Sequence, residues 1–166
     1  GFLFRPARDA GQPLDIYGVR YPAEALATLS RYGVRYHGWA PNAAAPGIFA
    51  RHMATVHVPR RFYTTVLPGI PTIRVFEALA CGIPLLSAPW SDSENLFRPG
   101  TDFLFADTGA AMTRRLRDVA NDPDLRASLV AHGLETIRAR HSCAHRAREL
   151  MSIAAKLGLT EGASAA

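Results

Sequence analysis

An α/β fold built on a Rossmann-like, doubly wound parallel sheet is what this chain predicts, on three observations. Short apolar strand runs alternate with helical runs, glycine or proline closes most of them, and the clearest helix is followed at once by a strand through Cys81-Gly82-Ile83-Pro84. At 166 residues and 48% hydrophobic the chain is long enough for a real core, so residues 1–158 read as one domain and 159–166 as a flexible tail.

Each element has its own signal. Phe2 to Ala10 reads as the end of a helix. Leu14 to Tyr17 is a strand closed by Gly18, and Pro22 to Arg31 a helix with Ala25, Leu26 and Leu29 on its apolar side. Val34 to His37 is a second strand ending at Gly38, Pro46 to Met53 a short helix, and Thr55 to Val58 a third strand broken by Pro59. Pro71 to Cys81 forms the next helix, with proline suited to its first position and Gly82 to the left-handed residue that ends it. Pro84 to Ala88 is a fourth strand and Phe103 to Phe105 a weaker fifth. Helices at Ala110 to Ala120 and Leu125 to Arg140 precede a last one that starts after Ser142 and fades near Gly158.

Composition narrows the function classes. No apolar run reaches the roughly 18 residues of a membrane-spanning helix, and the first residues lack a signal-peptide layout, so a cytoplasmic protein is expected. Cys81 and Cys143 are far apart and read as buried thiols. The net charge is +5, and of 19 basic residues only Lys156 is lysine. Arginine's two-pronged donor suits phosphate, which fits an anionic nucleotide or a peripheral place on an acidic membrane surface. Nucleic acid is not expected, because the aromatics do not alternate with basic residues as a stacking platform would.

The chemistry concentrates in Leu67 to Ser87. The N-terminus of the helix there exposes unpaired N–H groups around Thr72 and Ile73, a ready anion site. Arg74 in the first turn opposes the helix dipole unless an anion or a neighbouring acid compensates it. Glu77 lies four residues beyond Ile73 on one helix face, about 6 Å along the axis, which is the reach from a diphosphate to its ribose. The plain alternative is that Glu77 pairs with Arg74 on a solvated face.

Phe76-Glu77-Ala78-Leu79-Ala80-Cys81-Gly82-Ile83-Pro84-Leu85 resembles the signature of the C-terminal donor-binding domain of GT-B glycosyltransferases. Ser87-Ala88-Pro89-Trp90, Leu96 to Gly100 and His141 to Leu150 are similar to the CgeB-like spore-protein branch, and the likeness runs from about Leu14 to Leu157. The resemblance implies a glycosyltransferase taking a nucleoside-diphosphate sugar as substrate, with no bound metal and no other cofactor. It implies Glu77 on the ribose and Gly69, Ile70, Pro71 and Thr72 around the diphosphate. It also implies a strand ahead of the first helix and an N-terminal acceptor domain in the same longer chain, neither present in this sequence. The acceptor expected is a membrane surface or a polysaccharide. A non-catalytic nucleotide-binding or structural module derived from the fold is the rival reading. One departure matters: many relatives carry a Glu-x7-Glu pair, and eight residues before Glu77 this chain has Gly69.

Ligands of α/β folds bind beyond the carboxyl ends of the strands. The loops there put Gly18, Arg20, Gly38 and Trp39 among the donor-binding candidates, with base contact and packing both open for Trp39. Arg60 or Arg61, together with Arg74, are the candidates for the leaving-group charge. His141 and His145 are spaced as metal ligands but read better as a helix start, and Ser87 lacks a nucleophile elbow.

Overall fold

The computed structural model describes residues 1–159; most of the predicted tail lies outside them. The helices are α1 (Phe4–Asp9), α2 (Ala23–Arg31), α3 (Ala45–Phe49), α4 (Arg61–Thr65), α5 (Ile73–Ala80), α6 (Gly109–Asn121), α7 (Pro123–Arg140) and α8 (Cys143–Lys156). The strands are β1 (Asp15–Tyr17), β2 (Arg35–Gly38), β3 (Thr55–His57), β4 (Leu85–Ser87) and β5 (Leu104–Phe105). Every strand pairing is parallel, as expected, but the strands fall into two hydrogen-bonded groups, β1-β2 and β3-β4-β5, rather than one ladder.

The double winding shows in the side chains. Leu85 and Leu86 are adjacent on β4 yet belong to different buried clusters, as do Phe103 and Leu104 around β5. Neighbouring strand residues point to opposite faces, so the sheet is covered on both. One cluster joins Leu86, Leu104 and Ala7 to Met112, Leu116 and Val119 of α6; the other joins Leu85 and Phe103 to Val75, Ala78 and Leu79 of α5. Gly133 lets α7 approach α5 closely, since a Cβ there would lie 2.9 Å from Leu79 Cδ2.

Two carboxylates tie loops to this frame. Asp102 is fully buried and accepts from the Arg98 guanidinium at 2.8 Å and from the Thr136 hydroxyl at 3.0 Å, fastening the turn before β5 to α7. Asp15, at the start of β1, meets Arg35, His37 and His52. The Arg35 guanidinium above all holds its carboxyl well below the usual carboxylate range.

Several boundaries differ from expectation. α5 begins at Ile73, with Thr72 as its cap and Pro71 outside it. Arg61 to Thr65 form a helix where a loop was expected, and the helix predicted over Pro46 to Met53 is only α3, which stops at Phe49 and follows a 3-10 turn at Asn42–Ala44. Cys143 is exposed on the first turn of α8 and Cys81 is only partly covered, so neither is the buried thiol predicted.

Candidate functional site

The strand ends carry the polar geometry. On the β1-β2 side, Gly18 N–H donates to Gly38 O at 2.7 Å and the Tyr36 hydroxyl donates to Gly18 O at 2.7 Å, so the two glycine loops are fastened together. Gly38 has φ 72°, a conformation that favours glycine. Arg20 has φ 63° without being glycine, a strain of roughly 1–2 kcal/mol that the loop sustains. Trp39 is 72% exposed, which removes the packing role left open for it.

On the β3-β4 side a buried hydrogen-bond chain leads to the start of α5. His57 ends β3 beside Ser87, its register partner on β4. Its Nδ1 lies 2.9 Å from Ser87 Oγ and its Nε2 2.9 Å from Thr72 Oγ1. Ser87 Oγ donates in turn to Ala88 O at 2.9 Å. Burial pushes the His57 imidazole down to about 4, so it is neutral at ordinary pH. Trp90 stands edge-on to the ring at 6.4 Å.

Thr72 caps α5 by position, yet its side chain makes no capping bond. The amides of Ile73 and Arg74 find no acceptor among the described residues; Val75 N–H bonds back to Thr72 O at 3.2 Å. Those free donors and the helix dipole point out beyond β3. Arg74 is exposed and pairs with Glu77 Oε2, the neighbouring acid that offsets a cation in the first turn. Arg60, the residue before α4, and Arg61 at its start are both exposed.

Gly69 sits in the turn leading to α5 with φ 93°. A Cβ there would lie 2.3 Å from Ser93 Oγ and 2.9 Å from Ser93 Cβ. The glycine is therefore built in: any side chain, an acid included, would displace the Ser93 loop.

A family model described as glycosyl transferase-like matches residues 1–152. The chain belongs to this glycosyltransferase family. No curated protein matches it. Among solved structures, a sucrose-phosphate synthase from Thermosynechococcus elongatus is 18% identical with a TM-score of 0.73, over 93% of this chain and 41% of that one. Anabaena HepE in complex with UDP is 15% identical at TM-score 0.72, over 92% and 44%. The T4 phage glucosyltransferase in complex with UDP-glucose is 13% identical at TM-score 0.67, over 94% and 45%. At these identities the likeness is one of fold, and the fold is half of a GT-B glycosyltransferase. The chain spans less than half the length of these structures.

The structure brings Thr72, Arg74 and Glu77 together on α5 with Gly69 in the turn before it, and Gly18, Arg20 and Gly38 together at β1-β2. The sequence reading missed His57. Its one signal was that β3 and β4 both end in a polar residue after apolar ones, at matched register.

Proposed function

We propose that the chain is the donor-binding half of a glycosyltransferase that takes a nucleoside-diphosphate sugar. The observation that carries this is the start of α5: free first-turn amides at the strand ends, with a carboxylate one turn further on, in a chain of glycosyltransferase family. The diphosphate sits on the amides of Ile73 and Arg74, beside the Gly69 to Thr72 turn. Glu77 leaves Arg74 to hold the ribose hydroxyls, and Arg74 turns to the diphosphate with Arg60 or Arg61. Removing negative charge from the leaving group is the main electrostatic task of sugar transfer, and these guanidiniums do it without a metal. Gly18, Arg20, Gly38 and Trp39 line the rest of the donor, Trp39 flanking the base. The CgeB-like motifs favour that branch of the family.

Residues 1–158 act as the donor unit. A second, acceptor-binding domain of a longer chain faces the strand ends, where Val19, Trp39, Phe62, Val66, Ile70 and Ile73 are all exposed. The relatives bearing more than twice this length support that arrangement. Among the described residues no helix is long and apolar enough to cross a membrane. A cytoplasmic enzyme acting on a polysaccharide or at a membrane surface accords with that and with the arginine-rich charge.

Calorimetry with uridine, guanosine and adenosine diphosphates tests the reading. Micromolar to millimolar binding of one of them, with no heat from free sugars, is expected. A folded sample giving no heat with any at millimolar concentration rejects the donor site.

A further inference from the structure

β1 and β3 each pair on one side only. β1 bonds to β2 through Leu14, Ile16 and Gly18: Arg35 N–H donates to Leu14 O at 3.0 Å, Gly18 N–H donates to Gly38 O at 2.7 Å, and the register sets Ile16 against Tyr36 between them. β3 bonds to β4 through Thr55 and His57, since Thr55 N–H donates to Pro84 O and Ala88 N–H to His57 O, both at 2.9 Å. Successive residues of a strand turn their backbone groups to opposite sides, so those of Asp15, Tyr17 and Val56 face away from these partners. Among the described residues no other segment makes a backbone bond to them.

The two free edges face each other. Leu14, just ahead of β1, and Met53, Ala54 and Val56 at β3 pack against the same buried cluster, to which α1 contributes Ala7. Asp15 points to the opposite face from Leu14, and there His52, just ahead of β3, reaches its Oδ2 at 3.1 Å. The amino ends of β1 and β3 thus lie together, so the two strands run in the same sense. Gly1 sits at the other edge of the sheet. Its carbonyl oxygen is 3.0 Å from the Cβ position of Gly109, which opens α6 after the carboxyl end of β5. α1 then carries the chain back to Asp15 at the amino end of β1. A strand that ended at Gly1 would run from the amino to the carboxyl edge, parallel to both free edges, and its connection through α1 to the neighbouring β1 would be the ordinary crossover of a parallel sheet.

We propose that the segment of the longer chain immediately ahead of Gly1 is a β-strand lodged between β1 and β3, parallel to both, which joins the two ladders into one sheet of order β2-β1-strand-β3-β4-β5. Counted from that strand, the order is the one that doubly wound nucleotide-binding sheets share. With the α1 cluster on one face and the Asp15–His52 bridge on the other, the strand is buried on both sides and reads as a run of about five apolar residues rich in valine and isoleucine. Asp15, Tyr17 and Val56 supply its ladder partners, and two edges that would each template pairing with another chain disappear. A second copy would have to thread the slot past α1 and the His52 bridge, whereas the chain's own segment arrives there through Gly1. The inference rests on strand pairing and is independent of what the site binds.

Amide hydrogen exchange followed by NMR tests this on residues 1–166 and on the longer chain that extends ahead of Gly1 along its own reading frame. In residues 1–166 the amides of Asp15, Tyr17 and Val56 are protected about 100-fold less than those of Ile16 and His57, which the ladders hold; in the longer chain the difference falls below about tenfold. Contacts between backbone protons there place the added residues beside both Tyr17 and Val56. Full protection of the three amides in residues 1–166 at every concentration means a closed slot and overturns the proposal. Protection that fades on dilution gives the slot to a second copy and overturns it too. So do unchanged exchange in the longer chain, contacts that set the added strand antiparallel or outside β2 or β5, and an upstream sequence with no apolar run of strand length next to Gly1. Where residues 1–166 do not fold by themselves, the backbone contacts in the longer chain decide.

Discussion

Glu77 engages Arg74 through Oε2 alone, and its other carboxylate oxygen has no hydrogen-bond partner among the described residues. Arg74 is exposed and Glu77 half-buried, so breaking this surface pair costs little, about 1 kcal/mol or less. A ligand offering two hydroxyls outbids it. Glu77→Gln should therefore lower nucleoside-diphosphate affinity about 10- to 100-fold, equivalent to roughly 1.5–3 kcal/mol, with the melting temperature nearly unchanged. Affinity within twofold of wild type would leave Glu77 as the surface partner of Arg74. His57 gives a pH prediction at the same scale. Its unfolded imidazole takes up a proton near 6.5 but the folded one only near 4, so between these values the unfolded state binds more protons. Stability should fall as pH drops through that window, by roughly 3 kcal/mol. Urea titrations of wild type and His57→Gln from pH 7 to 4 would show the difference, since the glutamine variant loses this contribution; parallel curves would refute it.

The turn before α5 is specified by backbone conformation as much as by side chains. Gly69 combines φ 93° with a Cβ position that Ser93 already occupies. Gly69→Ala should destabilise the chain by about 2–3 kcal/mol, from left-handed strain together with displacement of the Ser93 loop. Thermal melts check this, and a drop of less than a degree or two would mean the loop yields freely. The same contact explains why the acid of the Glu-x7-Glu pattern has no counterpart. Restoring it as Gly69→Glu should lower stability and nucleotide affinity together, rather than improve binding. α5 itself is held from behind by α7, where Gly133 takes Leu79 against the helix backbone.

At the scale of the whole molecule, exposed apolar residues gather in two places. One is the rim of the strand ends; the other is α8, which buries none of its residues and exposes Leu150, Met151 and Ile153. Under the proposed function both lie toward the rest of a longer enzyme. The 166-residue chain alone should thus bind a nucleoside diphosphate yet transfer no sugar, because the acceptor side of the cleft is supplied elsewhere. Labelled-sugar transfer assays on the purified monomer check it; robust transfer by that monomer would place a complete active site within these residues.

Local pattern was enough to determine the class of fold, the parallel strands, the α5 to β4 unit and the left-handed Gly82, which has φ 68°. Those features depend on residues adjacent in sequence: a periodic apolar face, a capping residue, a glycine stop. Tertiary structure alone decided the rest. The Thr72 hydroxyl bonds to a residue 15 positions away, and the oxygen that crowds Gly69 comes from 24 positions away. The division of the strands into two ladders and the exposure of Cys143 are likewise outcomes of packing between distant segments. Only the folded chain brings the buried His57 imidazole within 2.9 Å of the Thr72 hydroxyl, because the two meet where the end of β3 packs beside the start of α5.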